Sequence, residues 1–127
     1  MITSSMFGME ERALALCEYR ATILANNIAN ASTPKFKARD FDFNQALTQA
    51  NAHYAVDTTH ENHLQLNNGI DGQRLGYRIP MQTSLDSNSV DDELERKNFL
   101  ENSIQYQANL GFVQTRLSTL MRAIKGE

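Results

Sequence analysis

Apolar residues crowd the two ends of this chain and thin out between them. Near the start, Phe7, Leu14, Cys17, Ala21, Leu24 and Ile28 recur at three- and four-residue steps, with a polar break at Glu10. Met6, Met9, Ala13, Leu16 and Ile23 form a second row beside the first. The periodicity predicts a helix over roughly residues 5–31, and two adjacent rows make a stripe wide enough for more than one partner. Thr3, Ser4 and Ser5 offer N-caps. Pro34 limits the far end, because a residue preceding proline avoids the helical region. The clearest helix covers residues 90–124, where Phe99, Ser103, Tyr106, Leu110, Val113, Leu117, Leu120 and Ile124 keep the same spacing with one polar member. Ser89 followed by Asp92 predicts a capping box. Asp91, Asp92 and Glu93 match the positive end of the helix dipole, and Arg122 and Lys125 the negative end. At 1.5 Å per residue such a helix is about 50 Å long, too long to bury its stripe within its own small domain.

The centre reads differently. Phe36, Phe41 and Phe43 sit among Lys35, Lys37, Arg39, Asp40 and Asp42, which predicts extended chain, and a short polar helix is expected over 44–55. Leu64 and Leu66 alternate with polar residues, Asn68-Gly69 and Asp71-Gly72 supply turns, and Tyr77, Ile79 and Met81 alternate again. This predicts a small β-hairpin with loose flanks, with Pro80 confining its second strand to an edge.

The expected architecture is mainly α: long N- and C-terminal helices pair as a coiled-coil-like unit around a small, irregular, β-containing centre. The boundaries fall at 1–32, 33–88 and 89–127. The seven-residue repeat predicts left-handed packing. The expected assembly seam is Leu14, Cys17, Leu24 and Ile28 with Leu110, Val113, Leu117, Leu120 and Ile124. Pairing within one chain covers one face of each helix and leaves the second N-terminal row exposed, which points to further subunits.

Composition narrows the function. The 127 residues amount to one domain, and a net charge of −3 with no basic block argues against nucleic acid. A single cysteine, Cys17, excludes an internal disulfide. The start lacks a basic n-region and an uninterrupted apolar core, so no cleavable signal is expected, and no apolar run is long enough to span a bilayer.

The least ordinary stretch runs Ala25-Asn26-Asn27-Ile28-Ala29-Asn30-Ala31-Ser32-Thr33-Pro34. Asparagine is a poor helix former, so three in five residues weaken a helix unless their amides are used. Asn26 and Asn30, one turn apart, are placed to clamp a neighbouring backbone, and Asn27 to fix the register of the seam. Fraying before Pro34 is the plainer alternative. The stretch resembles the motif near the N-terminus of the flagellar axial proteins, the family that builds rod, hook and hook-associated parts of the bacterial flagellum. Their pattern is Ala-Asn-Asn-Ile-Ala-Asn, two variable residues, then Thr-Pro-Gly-Tyr-Lys. Ala25, Asn26, Asn27, Ile28, Ala29, Asn30, Thr33, Pro34 and Lys37 match it. Phe36 replaces Tyr and keeps the ring. Lys35 replaces Gly, which argues against a turn of positive φ there. Residues 37–43, 88–91, 101–107 and 122–127 also resemble short rod members of the family, with Ser87 where Gly is more usual.

The resemblance implies a structural subunit of the proximal rod, with self copies, other rod subunits, and basal-body adaptor and export-gate proteins as partners. It implies export by the flagellar type III apparatus without signal cleavage, a place in the periplasmic rod, and terminal helices that order on assembly. Another short rod subunit of the family, or a cytoplasmic coiled-coil adaptor or export chaperone, is the alternative.

No catalytic reading competes. His53, His60 and His63 fall in polar chain, where exposed loop residues are a plainer account than zinc ligands. Cys17 on an apolar stripe reads as a small core residue rather than a reactive thiol. No nucleophile triad, phosphate loop or paired-carboxylate cleft is visible, so no cofactor and no small-molecule substrate is expected. Lys35, Lys37 and Arg39 beside Phe36 are too few for stacking on single-stranded nucleic acid.

Overall fold

The computed structural model describes residues 8–52, 75–80 and 84–126. Helix α1 is Gly8–Ala29, strand β1 Arg39–Asp40, helix α2 Phe43–Ala52, strand β2 Gly76–Tyr77 and helix α3 Asp92–Lys125. The fold is mainly helical, with the two long helices packed together and a small β element between them in sequence.

The long helices run antiparallel. Asn27 near the end of α1 meets Glu95 near the start of α3, Cys17 meets Asn102, and Glu10 meets Arg116. Helix α3 has 34 residues and α1 22, so at 1.5 Å per residue they span about 51 and 33 Å. Both ends of α3 are capped. Asp91, in extended conformation, accepts from Leu94 N–H, and Gly126 at φ 77° returns its N–H to Arg122 carbonyl. The expected capping box of Ser89 and Asp92 does not form. Asp91, not Ser89, is the N-cap, because the Ser89 hydroxyl is already used, accepting from Ala38 N–H at 2.8 Å.

The apolar core lies between α1 and the central segment. Leu16, Phe41 and Ala46 are buried together, flanked by Tyr19, Ile23, Phe43 and Leu47. The Tyr19 and Phe41 rings lie 5.7 Å apart. Burying Leu16 and Phe41 contributes about 1.5–3 kcal/mol each. Asp42 starts α2 by accepting from Gln45 N–H, and Arg12 Nη1 donates to Ala50 carbonyl at 2.8 Å, fastening α2 to α1. The second row of α1 is therefore not left exposed as expected: Leu16 and Ile23 pack against the Phe41 and Phe43 side of the core, while Met9 stays exposed. Phe41 and Phe43, expected in extended chain within a charged run, supply the cover.

The β element also departs from expectation. Strand β1 pairs antiparallel with β2, Arg39 opposite Tyr77 and Asp40 opposite Gly76. The partner of Tyr77 among the described residues is thus a distant strand. The expected strand at Leu64 and Leu66, the turns at 68–72, Met81 and the N-caps before Gly8 lie outside the described residues.

Candidate assembly site

The asparagine-rich end of α1 organises everything around it. Asn27 is buried. Its amide donates to Arg39 carbonyl at 2.7 Å and to Glu95 Oε2 at 3.0 Å, and its oxygen accepts from Arg39 N–H at 3.1 Å. One side chain thus joins α1, β1 and α3. Asn26 and Asn30 do not clamp a neighbouring segment as expected. They bond to each other within the last turn of α1: Asn30 Nδ2 donates to Asn26 Oδ1 at 2.7 Å and to its carbonyl at 2.8 Å, and Thr33 hydroxyl donates to Asn30 Oδ1. Buried Asn88, far along the chain, donates to the carbonyls of Asn30 and Ala31, just past the end of α1, at 3.1 and 2.8 Å, and the Asn30 carbonyl also accepts from Thr33 N–H. The Asn88 side-chain oxygen accepts from Val90 N–H at 2.9 Å.

Between these ends the motif loop is held backbone to backbone. Lys35 N–H donates to Asp86 carbonyl at 2.9 Å and Ser89 N–H to Phe36 carbonyl at 3.0 Å. Lys35 has φ 61° and Ser87 φ 60°, both left-handed. A turn of positive φ therefore exists at Lys35 despite the missing glycine, and a second faces it at Ser87. Both positions are those where the family resemblance expects glycine. The remaining motif residues Ala25, Ala29, Thr33, Pro34 and Lys37 are exposed, and Ile28 is half-buried.

A charged cluster backs the hub. Asp40 accepts from Arg20 Nε and Nη2 at 3.1 and 2.9 Å and also pairs with Arg78. Arg78 Nη1 reaches Glu95 Oε1 at 3.0 Å, and Glu95 is fully buried. Burial raises the Asp40 pKa, but the hydrogen bonds and charge of Arg20, the Phe41 N–H and Arg78 outweigh it and hold the carboxyl below its usual range. The cluster ties α1, β1, β2 and α3 through charge, which requires all partners together.

The α1–α3 interface is more polar than its apolar repeat suggested. Glu95, Asn102, Asn109 and Arg116 repeat every seven residues, and each touches α1. Asn102 Nδ2 donates to Cys17 carbonyl at 2.9 Å, Asn109 Nδ2 lies 3.6 Å from Cys17 Sγ, and Arg116 pairs with Glu10, the polar break in the α1 row. Burial pushes the Cys17 thiol pKa up, which suits a packing role. The expected seam divides accordingly. Cys17 and Leu24 are buried, and Leu14, Val113 and Leu120 are half-buried. Leu110, Leu117 and Ile124, a row about 80° further round α3 than the polar one, are 38%, 48% and 86% exposed. Sequence reasoning missed Asn88, Glu95, Asn102 and Asn109. The signal they carried was their seven-residue spacing beside the apolar row, which a polar seam shares with a solvated flank.

Among the described residues no cluster of three or more His, Cys, Asp or Glu is placed to hold a metal, and no helix is long and apolar enough to cross a membrane. His53, His60 and His63 lie outside the described residues.

An antiparallel pair of long helices locked by asparagines, with the Asn-rich motif at the end of α1, resembles the helical subunits of the flagellar axial family. No protein-family model matches the chain. It is 44% identical over 124 residues to the flagellar basal body rod protein FlgB of Aeromonas hydrophila, covering 95% of this chain and 93% of that one. It is 42% identical to FlgB of Cereibacter sphaeroides, covering 94% of each, and 36% identical to FlgB of Salmonella typhimurium, covering 92% and 91%. The chain belongs to the FlgB family of flagellar basal body rod proteins. It is a structural subunit of the basal-body rod, not an enzyme, and associates with other rod proteins. The adaptor and chaperone alternatives are not favoured.

Proposed function

We propose that the chain builds the proximal part of the rod through its terminal helices, into a tube that transmits torque. The carrying observation is the division of labour on α3. Its polar heptad row and the half-buried row beside it engage α1, while Leu110, Leu117 and Ile124 keep their apolar surface outward. An apolar row that the described residues leave uncovered is a surface for other chains. In this reading self copies and neighbouring rod subunits cover it, with adaptor and export-gate proteins as contacts at the base. The chain leaves the cytoplasm by the flagellar type III apparatus without signal cleavage. The buried asparagines specify which faces of α1 and α3 meet, and so set the angle at which the outer row is offered.

A clean deletion with complementation tests the reading, scored by swimming and by electron microscopy of purified basal bodies. Loss of the rod, restored by the wild-type gene, is expected. A complete rod in the deletion strain would overturn it.

A further inference from the structure

Residues 75–80 form a short strap across the hub, and charge rather than apolar burial holds it there. Leu75, Gly76, Tyr77, Ile79 and Pro80 are all exposed, and Arg78 alone is half-buried. Leu75, Tyr77 and Ile79 are 36%, 65% and 93% exposed, so the strap adds no apolar side chain to the core. Its attachments are polar. Gly76 and Tyr77 pair with β1, Arg78 N–H donates to Ala38 carbonyl at 2.9 Å, and the Arg39 guanidinium lies over the Tyr77 ring at 5.4 Å. The Arg78 guanidinium then joins Asp40 through Nη2 and Glu95 Oε1 through Nη1.

The seat of that guanidinium is built from two separate segments. Asp40 is fixed to α1, because Arg20 holds its carboxylate and Asn27 holds both backbone groups of the preceding Arg39. Glu95 belongs to α3 and reaches the seat when α3 lies along α1. Among the described residues Arg78 is the only cation within ion-pairing distance of Glu95, whose side chain is 1% exposed. A buried carboxylate without a cation is costly, and a planar guanidinium can fork between two carboxylates. Without Glu95, Asp40 already has Arg20, and a second cation gains little there.

We infer that the strap is a conformational device that closes on the paired helices: α1–α3 pairing assembles the Asp40 and Glu95 seat, and Arg78 entering it draws residues 75–80 onto β1. Closure changes the surface. Leu75, Tyr77, Ile79 and Pro80 form one side of a groove of about 850 Å³ that Ile23 and Phe36 also line. The groove is therefore completed when the two long helices have paired. The coupling is reciprocal, so a closed strap stabilises the helix pair in turn. A segment held by few polar contacts opens at lower free energy than the core beneath it, so the strap opens without the helices separating.

Native-state hydrogen exchange of the purified chain, read by NMR, tests this at the residue 78 amide, which bonds to Ala38 carbonyl, and along α1 and α3. In the wild type, residue 78 is expected to exchange at least tenfold faster than the helix amides around Cys17 and Asn102. Its rate should stay nearly flat in low urea, because opening the strap exposes little surface, while the helix amides respond steeply. Glu95→Gln and Arg78→Met are each expected to speed exchange at residue 78 at least tenfold, and the double variant to match Arg78→Met, because the pair they share is already lost. A residue 78 rate that equals the helix rates and shares their urea dependence would overturn the inference in the wild type alone, without need of a variant. So would exchange at residue 78 left unchanged by Glu95→Gln, or protection of residue 78 in a chain whose helix amides exchange freely.

Discussion

Asn27 and Glu95, 68 residues apart, meet at 3.0 Å inside the protein, where the first helix ends and the last begins. The amide also holds both backbone groups of Arg39, so three segments share one side chain. Asn27→Ala removes three hydrogen bonds and leaves a buried carboxylate short of a donor. It is expected to cost about 2–4 kcal/mol. Asn27→Asp should be worse still, because it sets a second carboxylate against Glu95. Chemical denaturation of the purified chain measures both. A loss below about 1 kcal/mol for the alanine variant would mean that water replaces the amide and that the clamp is not what joins the segments.

Asp40 gives the protein an acid-sensitive contact. Its folded pKa is lowered from an ordinary value of 3.8. The stability it contributes is therefore complete above that ordinary value and is lost as pH falls through the lowered folded one. The melting temperature is expected to drop on acidification below about pH 4. Asp40→Asn should be less stable at neutral pH and show a flatter acid limb. Parallel acid limbs for the two proteins would assign the loss to other carboxylates.

Lys35 and Ser87 occupy left-handed backbone without being glycine. A side chain there costs roughly 1–2 kcal/mol, offset in part by the greater freedom a glycine loses on folding. Lys35→Gly and Ser87→Gly are each expected to stabilise the chain by about 0.5–1 kcal/mol. Because Lys35 N–H bonds to the Asp86 carbonyl next to Ser87, the two turns are neighbours, and the double variant is expected to depart from the sum of the singles. Thermal unfolding of the two single variants and the double decides it, and destabilisation by either would show that its side chain compensates the strain.

The two long helices and their pairing were legible because three- and four-residue periodicity survives over twenty or more residues. The short helix after Phe43 was expected over 44–55 only as a polar one, and it runs Phe43–Ala52. The central packing was not legible. Phe41 and Phe43 belong to a charged run, and nothing local says that they reach back to Leu16. Strand β1 is two residues long and pairs across a wide gap in sequence, beyond any hairpin signal. The capping residue was displaced by two positions because Ser89 had a competing tertiary partner. Within the motif the use of asparagine was foreseen but its assignment was not. Asn27 takes the clamp because it faces inward, while Asn26 and Asn30 lie on the outer side and serve each other.

Leu117 and Leu16 separate folding from assembly. Leu16 is fully buried against Phe41 and Ala46, so Leu16→Ala is expected to destabilise the chain by about 2–5 kcal/mol. Leu117 is 48% exposed and belongs to the outward row. Leu117→Asp should change the stability of the isolated chain by no more than about 0.5 kcal/mol, yet it puts a carboxylate into a surface that assembly would bury without a partner. The expected phenotype is export of the variant with no rod or filament built on it. Denaturation of the purified chain, detection of exported subunit and electron microscopy of basal bodies read the three parts separately. Normal flagella on Leu117→Asp cells would remove the outward row from the assembly surface. Loss of export and rod together would point instead to a contact made before the subunit leaves the cell.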